Sequence, residues 1–250
     1  MKSFLYSVVI ALATLPATAG LTYDFRTETT GLQASEQQGH ATIDGANLRL
    51  DMQTGDGVMF QNGSVAISHN SGSTLDVLDP SAKTYWEIDL ASLTPGALAG
   101  MVKMTNEKVN VRDAGDGGKI EGFATHHKIV SATADMAVGE ATGMHFEVTM
   151  ESWTTEKIPM DAAAFLQRRM GNTGLPMLDK LIAAQNDNVK GFPLRQITHI
   201  KVTQGTSPAM EMLSTTNITN VKTTTPPASL FAVPADYKKL ANPVEKMMGQ

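Results

Sequence analysis

The stretch from Asn47 to Asp89 constrains the fold more than any other part of the chain. Leu48, Leu50 and Met52 alternate with Arg49 and Asp51, and successive side chains of a strand point to opposite faces of a sheet. Val65 and Ile67 repeat the pattern, as do Leu75 with Val77 and then Tyr85 to Ile88. Asn62-Gly63 carries the two-residue hairpin signal, and Asp79-Pro80 opens a further turn. Short alternating runs broken by turn chemistry predict an antiparallel meander with one apolar face.

The same grammar continues on both sides. Leu21, Tyr23 and Phe25 alternate within a first strand from Leu21 to Thr30, and Asp44-Gly45 joins His40–Ile43 to Asn47–Met52 as a second hairpin. Val109–Arg112 and Lys119–Val130 read as strands around a hairpin loop from Asp113 to Gly118, with Gly122 marking a bulge or a close approach in the second strand. Met144, Phe146, Val148 and Met150 alternate cleanly, and Ile197–Val202 and Met210–Val221 add later strands. Leu230–Val233 reads as an edge strand. Helices are predicted from Thr94-Pro95, over Ala162–Met170 with Asp161 as cap, and over Met177–Gln185. Met177, Leu178, Leu181 and Ile182 share one side of the last. Short helices inserted between long antiparallel strands define an α+β class rather than alternating βαβ units.

Lys2, an apolar run from Phe4 to Leu15 and the sequence Pro16-Ala17-Thr18-Ala19 form the three parts of an export signal. The run is too short for a durable membrane span, and Gly20 rather than a cysteine follows the cleavage site. The expected organisation is a signal peptide over 1–19, a single domain over 20–241 and a flexible tail over 242–250. The mature chain then has no transmembrane segment and is periplasmic or secreted. With no cysteine, an exported chain must be held by its core, and 250 residues suffice for one. A net charge of −5, more negative once Lys2 is removed, argues against nucleic acid as a partner and against electrostatic attachment to anionic lipid.

No residue pattern nominates chemistry. Neighbouring strand positions His126 and His127 face opposite sides and cannot easily share an ion, and no H-E-x-x-H motif exists. His145 and His199 lie opposite apolar positions of their strands and are expected to face solvent. The Asp113–Gly118 segment lacks the closing glutamate of a calcium loop. The scattered carboxylates sit near turns and caps, and nucleophile-elbow, phosphate-loop and dinucleotide motifs are absent. The expectation is therefore no metal, no cofactor and no catalytic residue. Fifteen methionines, flexible and polarizable, suit either core filling or an adaptable apolar surface.

The order of several short motifs resembles the outer-membrane lipoprotein carrier and receptor superfamily, the LolA-like half-barrels. They are Asn47-Leu48-Arg49-Leu50-Asp51, then Ile67-Ser68, Asp76-Val77-Leu78-Asp79-Pro80 and Lys83-Thr84-Tyr85. Later motifs resemble an uncharacterised family of exported bacterial proteins, a domain of unknown function. These are Lys119-Ile120-x-Gly122-Phe123, Val148–Trp153 with Thr154–Pro159, Gly191-Phe192-Pro193-Leu194 and Phe231-x-Val233-Pro234-x-x-Tyr237. The similarity runs from about residue 21 to 240.

The resemblance implies a strongly curved antiparallel sheet, an unclosed half-barrel, with short helices packed on its concave face and an apolar cavity between. In the carrier branch that cavity takes acyl chains, and an arginine helps hold the helical lid; this chain has Asp44-Gly45 near that place, with Arg49 close by. The expected function is non-enzymatic binding of an apolar ligand, a lipid or lipidated peptide, with envelope proteins as further partners. Leu48, Leu50, Met52, Met101, Phe146, Val148, Leu166 and Leu181 are the expected lining or lid residues. The alternatives are an envelope structural protein whose helices fill its own core, and a hydrolase or isomerase that uses the cavity.

Overall fold

The computed structural model describes residues 20–31, 34–55, 60–69, 74–89, 102–138, 141–158 and 176–243. The signal peptide, the helices expected at Thr94 and over Ala162–Met170, and most of the C-terminal tail lie outside these residues.

The first half is a meander of six strands: β1 (Gly20–Gly31), β2 (Ser35–Asp44), β3 (Asn47–Thr54), β4 (Val65–His69), β5 (Thr74–Asp79) and β6 (Thr84–Asp89). The second half contains β7 (Val102–Ile120), β8 (Phe123–Val138), β9 (Ala141–Thr155), helix α1 (Pro176–Asn188), β10 (Phe192–Gln204) and β11 (Met210–Thr224). A 3-10 helix (Ala228–Phe231) and the two-residue β12 (Lys238–Lys239) end the described chain. All strands join one unclosed, mostly antiparallel sheet, ordered β12-β6-β5-β4-β3-β2-β1-β11-β10-β9-β8-β7. The pairing of β1 with β11 fuses the two meanders, and among the described strands only β12 on β6 is parallel. The fold is therefore mostly β, with a single α-helix among the described residues.

Register turns the alternation into faces. Tyr23, Ala41, Leu50, Ala66, Val77 and Trp86 stand on one cross-strand rung. Thr27, Thr216, Gln196 and Ser152 continue the same face through the second half. Val130, Ala132, Ala134 and Val148 lie on it too, and there they pack against Met177, Leu181 and Val189 of the helix segment. Ile120 and Phe123, at the β7–β8 turn, join the cluster of Leu21, Ile43 and Leu48. Six strand intervals separate β8 from β3 in the sheet order. At about 4.8 Å per interval a flat sheet would keep those side chains well apart, so the sheet curls.

The opposite face is more polar, although Ile129, Trp153, Ile197 and Leu213 stand on it, and a buried apolar part of it lies on β4 to β6. There Val65, Ile67 and Leu78 are covered by Phe231, with Leu230, Val233 and Tyr237 around it. On β4 both faces are thus buried, and Val65, Ala66 and Ile67 form a continuous apolar run. The C-terminal cover is fastened by Lys238 N to Lys83 O (2.9 Å), Leu240 N to Tyr85 O (2.7 Å) and the Lys83–Asp236 ion pair (2.8 Å).

Three local expectations are corrected. Asp113–Gly118 is no hairpin loop: it is a bulged part of β7, and the turn is Glu121-Gly122 (φ 51° and 81°), the left-handed pair of a tight hairpin. Asp113 and Asp116 accept the amides of Gly115 and Gly118 within the strand, so Asx chemistry produced bulges instead of a reversal. Asn62-Gly63 does turn, but inside a longer β3–β4 connection in which Met52 bonds Ser64 and Gly63. Leu230–Val233 forms no edge strand: the 3-10 helix occupies Ala228–Phe231, and Lys238–Lys239 takes the edge.

Candidate functional site: an apolar cavity beneath the helix

A cavity of about 360 Å³ lies between α1 and the sheet. Its sheet wall comes from Tyr23, Phe25, Leu50, Met150, Ser152, Phe192, Pro193, Arg195, Gln196, Thr216 and Ile218. Its helix-side wall comes from Ile182, Gln185, Asn186 and the following Val189. The strand residues meet because β1, β3, β9, β10 and β11 present alternate positions to one face. Tyr23 stands edge-on to Phe192, with ring centroids 5.4 Å apart and planes at 71°. Burial pushes the Tyr23 phenol up to about 12, so the wall there is neutral. Gly39 pairs with Phe25 across β1 and β2. A Cβ at Gly39 would stand 2.9 Å from the Phe25 ring and 2.5 Å from the Asp51 carbonyl oxygen, so glycine leaves the room that ring needs.

Arg195 is the only formally charged residue among the described residues of the wall, and its guanidinium carbon lies 5.3 Å from the Trp153 ring centroid. Trp153 also stacks on His127, centroids 4.0 Å apart and planes within 10°. Trp153 neighbours the wall residue Ser152 in β9 and therefore points to the other face of the sheet. On the rung that carries Leu50, the Trp86 indole nitrogen is buried without a hydrogen-bond partner among the described residues.

Histidine–carboxylate contacts occur, but away from the cavity. His40 meets Asp24 (2.7 Å), His126 meets Asp113 (2.7 Å), His127 meets Glu151 (2.9 Å), His145 meets Asp135 (2.9 Å) and His199 meets Glu211 (3.3 Å). None of these ten residues lines it. Hydrogen bonds from His40 and then Asn220 hold the Asp24 carboxyl below the usual carboxylate range. Asp135 is lowered likewise by Asn106 and then His145. Among the described residues no three His, Asp or Glu side chains group as a metal site.

Of the residues singled out from sequence, Leu50 lines the cavity. Leu48 and Met52 share its strand and face but are buried, Leu48 in the neighbouring cluster with Leu21 and Ile43. Phe146, Val148 and Leu181 come together in the cluster beneath the start of α1, beside the cavity. Met101 and Leu166 lie outside the described residues. Sequence reasoning left out Tyr23, Phe25, Phe192 and Ile218. The alternation of Tyr23 and Phe25 was visible, but their placement opposite Ile218 depends on the β1–β11 pairing, which joins the two ends of the domain. Arg49 does not reach the helix: it chelates Asp51 and donates to the Leu230 carbonyl oxygen on the other face.

Among the described residues no helix is long and apolar enough to cross a membrane. No curated protein matches the chain. Among solved structures, the chain is similar to an uncharacterized conserved protein from Thermus thermophilus, at 9% identity and a TM-score of 0.41, covering 90% of this chain and 91% of that one. It is similar to PNGF-II at 11% identity and a TM-score of 0.38, covering 92% of this chain and only 32% of that protein. It is also similar to a LolA superfamily protein from Nitrosomonas europaea, at 10% identity and a TM-score of 0.33, covering 87% and 91%. One family model matches residues 27–237, most of the chain, and the expected kinship with an uncharacterised family holds: the protein belongs to DUF4412, a domain of unknown function.

Proposed function

We propose that this protein is a non-enzymatic periplasmic binding protein that takes an apolar ligand, a lipid or a lipidated group, between α1 and the concave face of the sheet. The observation that carries the reading is the cavity of about 360 Å³ with an aromatic and aliphatic wall. Pockets of this kind, largely apolar with a few polar groups, are the usual form of small-molecule sites. Each ligand methylene buried there contributes about 0.8 kcal/mol, so a short aliphatic segment gives useful affinity. The cluster of Phe146, Val148 and Leu181 is filled by the helix, which confines the open volume to the side walled by Tyr23, Phe25 and Leu50. The histidine–carboxylate pairs lie outside the cavity, so they support no catalytic reading of it.

The test is titration with N-phenyl-1-naphthylamine, whose fluorescence rises in apolar surroundings. Saturable enhancement is expected from the native protein, and Leu50→Trp, which fills the cavity, is expected to weaken it about tenfold, a loss of about 1.4 kcal/mol. Circular dichroism checks that the variant keeps its sheet. Absence of saturable enhancement in the native protein, or an unchanged titration in a folded Leu50→Trp variant, would sink the reading.

A further inference from the structure

The dimensions and charge of the cavity say more than that it is apolar. A methylene occupies close to the volume of a water molecule, about 30 Å³, so 360 Å³ matches the volume of a single chain of about a dozen carbons. The polar wall groups among the described residues include the Gln185 amide on the helix, the Gln196 amide and the Ser152 and Thr216 hydroxyls on the sheet. Among the described residues the wall has no carboxylate or lysine, and the Tyr23 phenol is neutral. The one cation among the described wall residues, Arg195, has its guanidinium engaged at the Trp153 ring. Side-chain amides and hydroxyls hydrogen-bond hydroxyl, ester and amide groups, whereas a charge brought in without a counter-charge pays desolvation.

We propose that the cavity is selective for single-chain amphiphiles of about twelve carbons with an uncharged, hydrogen-bonding head, a monoacylglycerol being the type, rather than for diacyl lipids or ionised fatty acids. The proposal rests on the apolar-ligand reading and narrows it.

The experiment is calorimetric titration of the native protein with monoacylglycerols from octanoyl through hexadecanoyl, below their critical micelle concentrations. Dodecanoate at about pH 8, where the carboxylate is ionised, and didodecanoyl-phosphatidylglycerol vesicles form the comparison arms. Affinity is expected to rise about fourfold per methylene and to level off near dodecanoyl. Dodecanoate and the diacyl lipid are expected to bind at least about tenfold more weakly than monododecanoylglycerol. Phe25→Ala, which lengthens the cavity at its wall, is expected to move the plateau to longer chains. An affinity that still climbs at hexadecanoyl, or equal binding of the diacyl lipid, overturns the single-chain selectivity and leaves the apolar-ligand reading standing. Equal or tighter binding of dodecanoate overturns the uncharged-head selectivity alone. No heat of binding with any chain, together with no saturable dye enhancement, overturns both readings.

Discussion

Arg49 Nη1 donates to the carbonyl oxygen of Leu230 at 3.1 Å, tying a strand of the first meander to the 3-10 helix over Ala228–Phe231. The same guanidinium chelates Asp51 through Nε and Nη2, at 2.6 to 3.0 Å. Its side chain is only 21% exposed, so the contact sits where water competes weakly. Replacing Arg49 by Met keeps the aliphatic stem and removes the fork. The expected cost is about 1–2 kcal/mol. Hydrogen exchange should show faster opening of residues 228–240 while the amides of β1 and β11 stay protected.

Gly39 tests how tightly the cavity wall is built. Gly39→Ala places a methyl group against the Asp51 carbonyl oxygen and the Phe25 ring. The expected destabilisation is about 1–3 kcal/mol, typical of overpacking. Chemical denaturation measures it. The Phe25 ring is expected to shift toward the cavity, so dye binding should weaken as well.

Leu181 is 3% exposed in the cluster of Val130, Val148 and Met177. Leu181→Ala is expected to cost about 2–4 kcal/mol, through lost transfer energy and a residual void. Since α1 rests on the sheet through this cluster, the loss should appear first as raised exchange of the α1 amides.

Asp24 links the pH response to a cross-strand contact. His40, opposite it on β2, bonds its carboxylate, and Asn220 Nδ2 donates to the other oxygen. The folded state holds its pKa below 3.8, so the contribution is present above that value and is lost as pH falls through the lower folded value. The side chain is 37% exposed, and solvent screening limits the contribution at neutral pH to less than about 1 kcal/mol. Asp24→Asn should therefore lower the melting temperature slightly at neutral pH, and the difference from the native protein should vanish in strong acid.

Some features were legible because they are local. The period-two runs located β3 to β6, and Asp44-Gly45 marked the β2–β3 hairpin, whose Asp44 pairs with Asn47. Met177 and Leu181 were readable as a helix face, and both are buried in one cluster. Asp113–Gly118 was misread because Gly and Asp favour bulges as readily as turns, and only pairing with β8 distinguishes the two. Leu230–Val233 has a strand-like sequence, yet Ala228–Phe231 turns as a 3-10 helix after Pro227 and packs through Phe231 on the β4–β5 surface.

The sequence by itself determined which residues alternate and where the chain can reverse, since both depend on the pleat and on allowed backbone angles. It thereby determined that an apolar sheet face would exist and that Leu50 would stand on it. Only the tertiary structure decided that Tyr23 and Phe25 meet Phe192 and Ile218, because that needs β1 to pair with β11 nearly two hundred residues away. It also decided which part of the face is filled by Met177 and Leu181 and which is left open beside Gln185 and Val189. Burial, unlike alternation, is a property of what arrives on the other side.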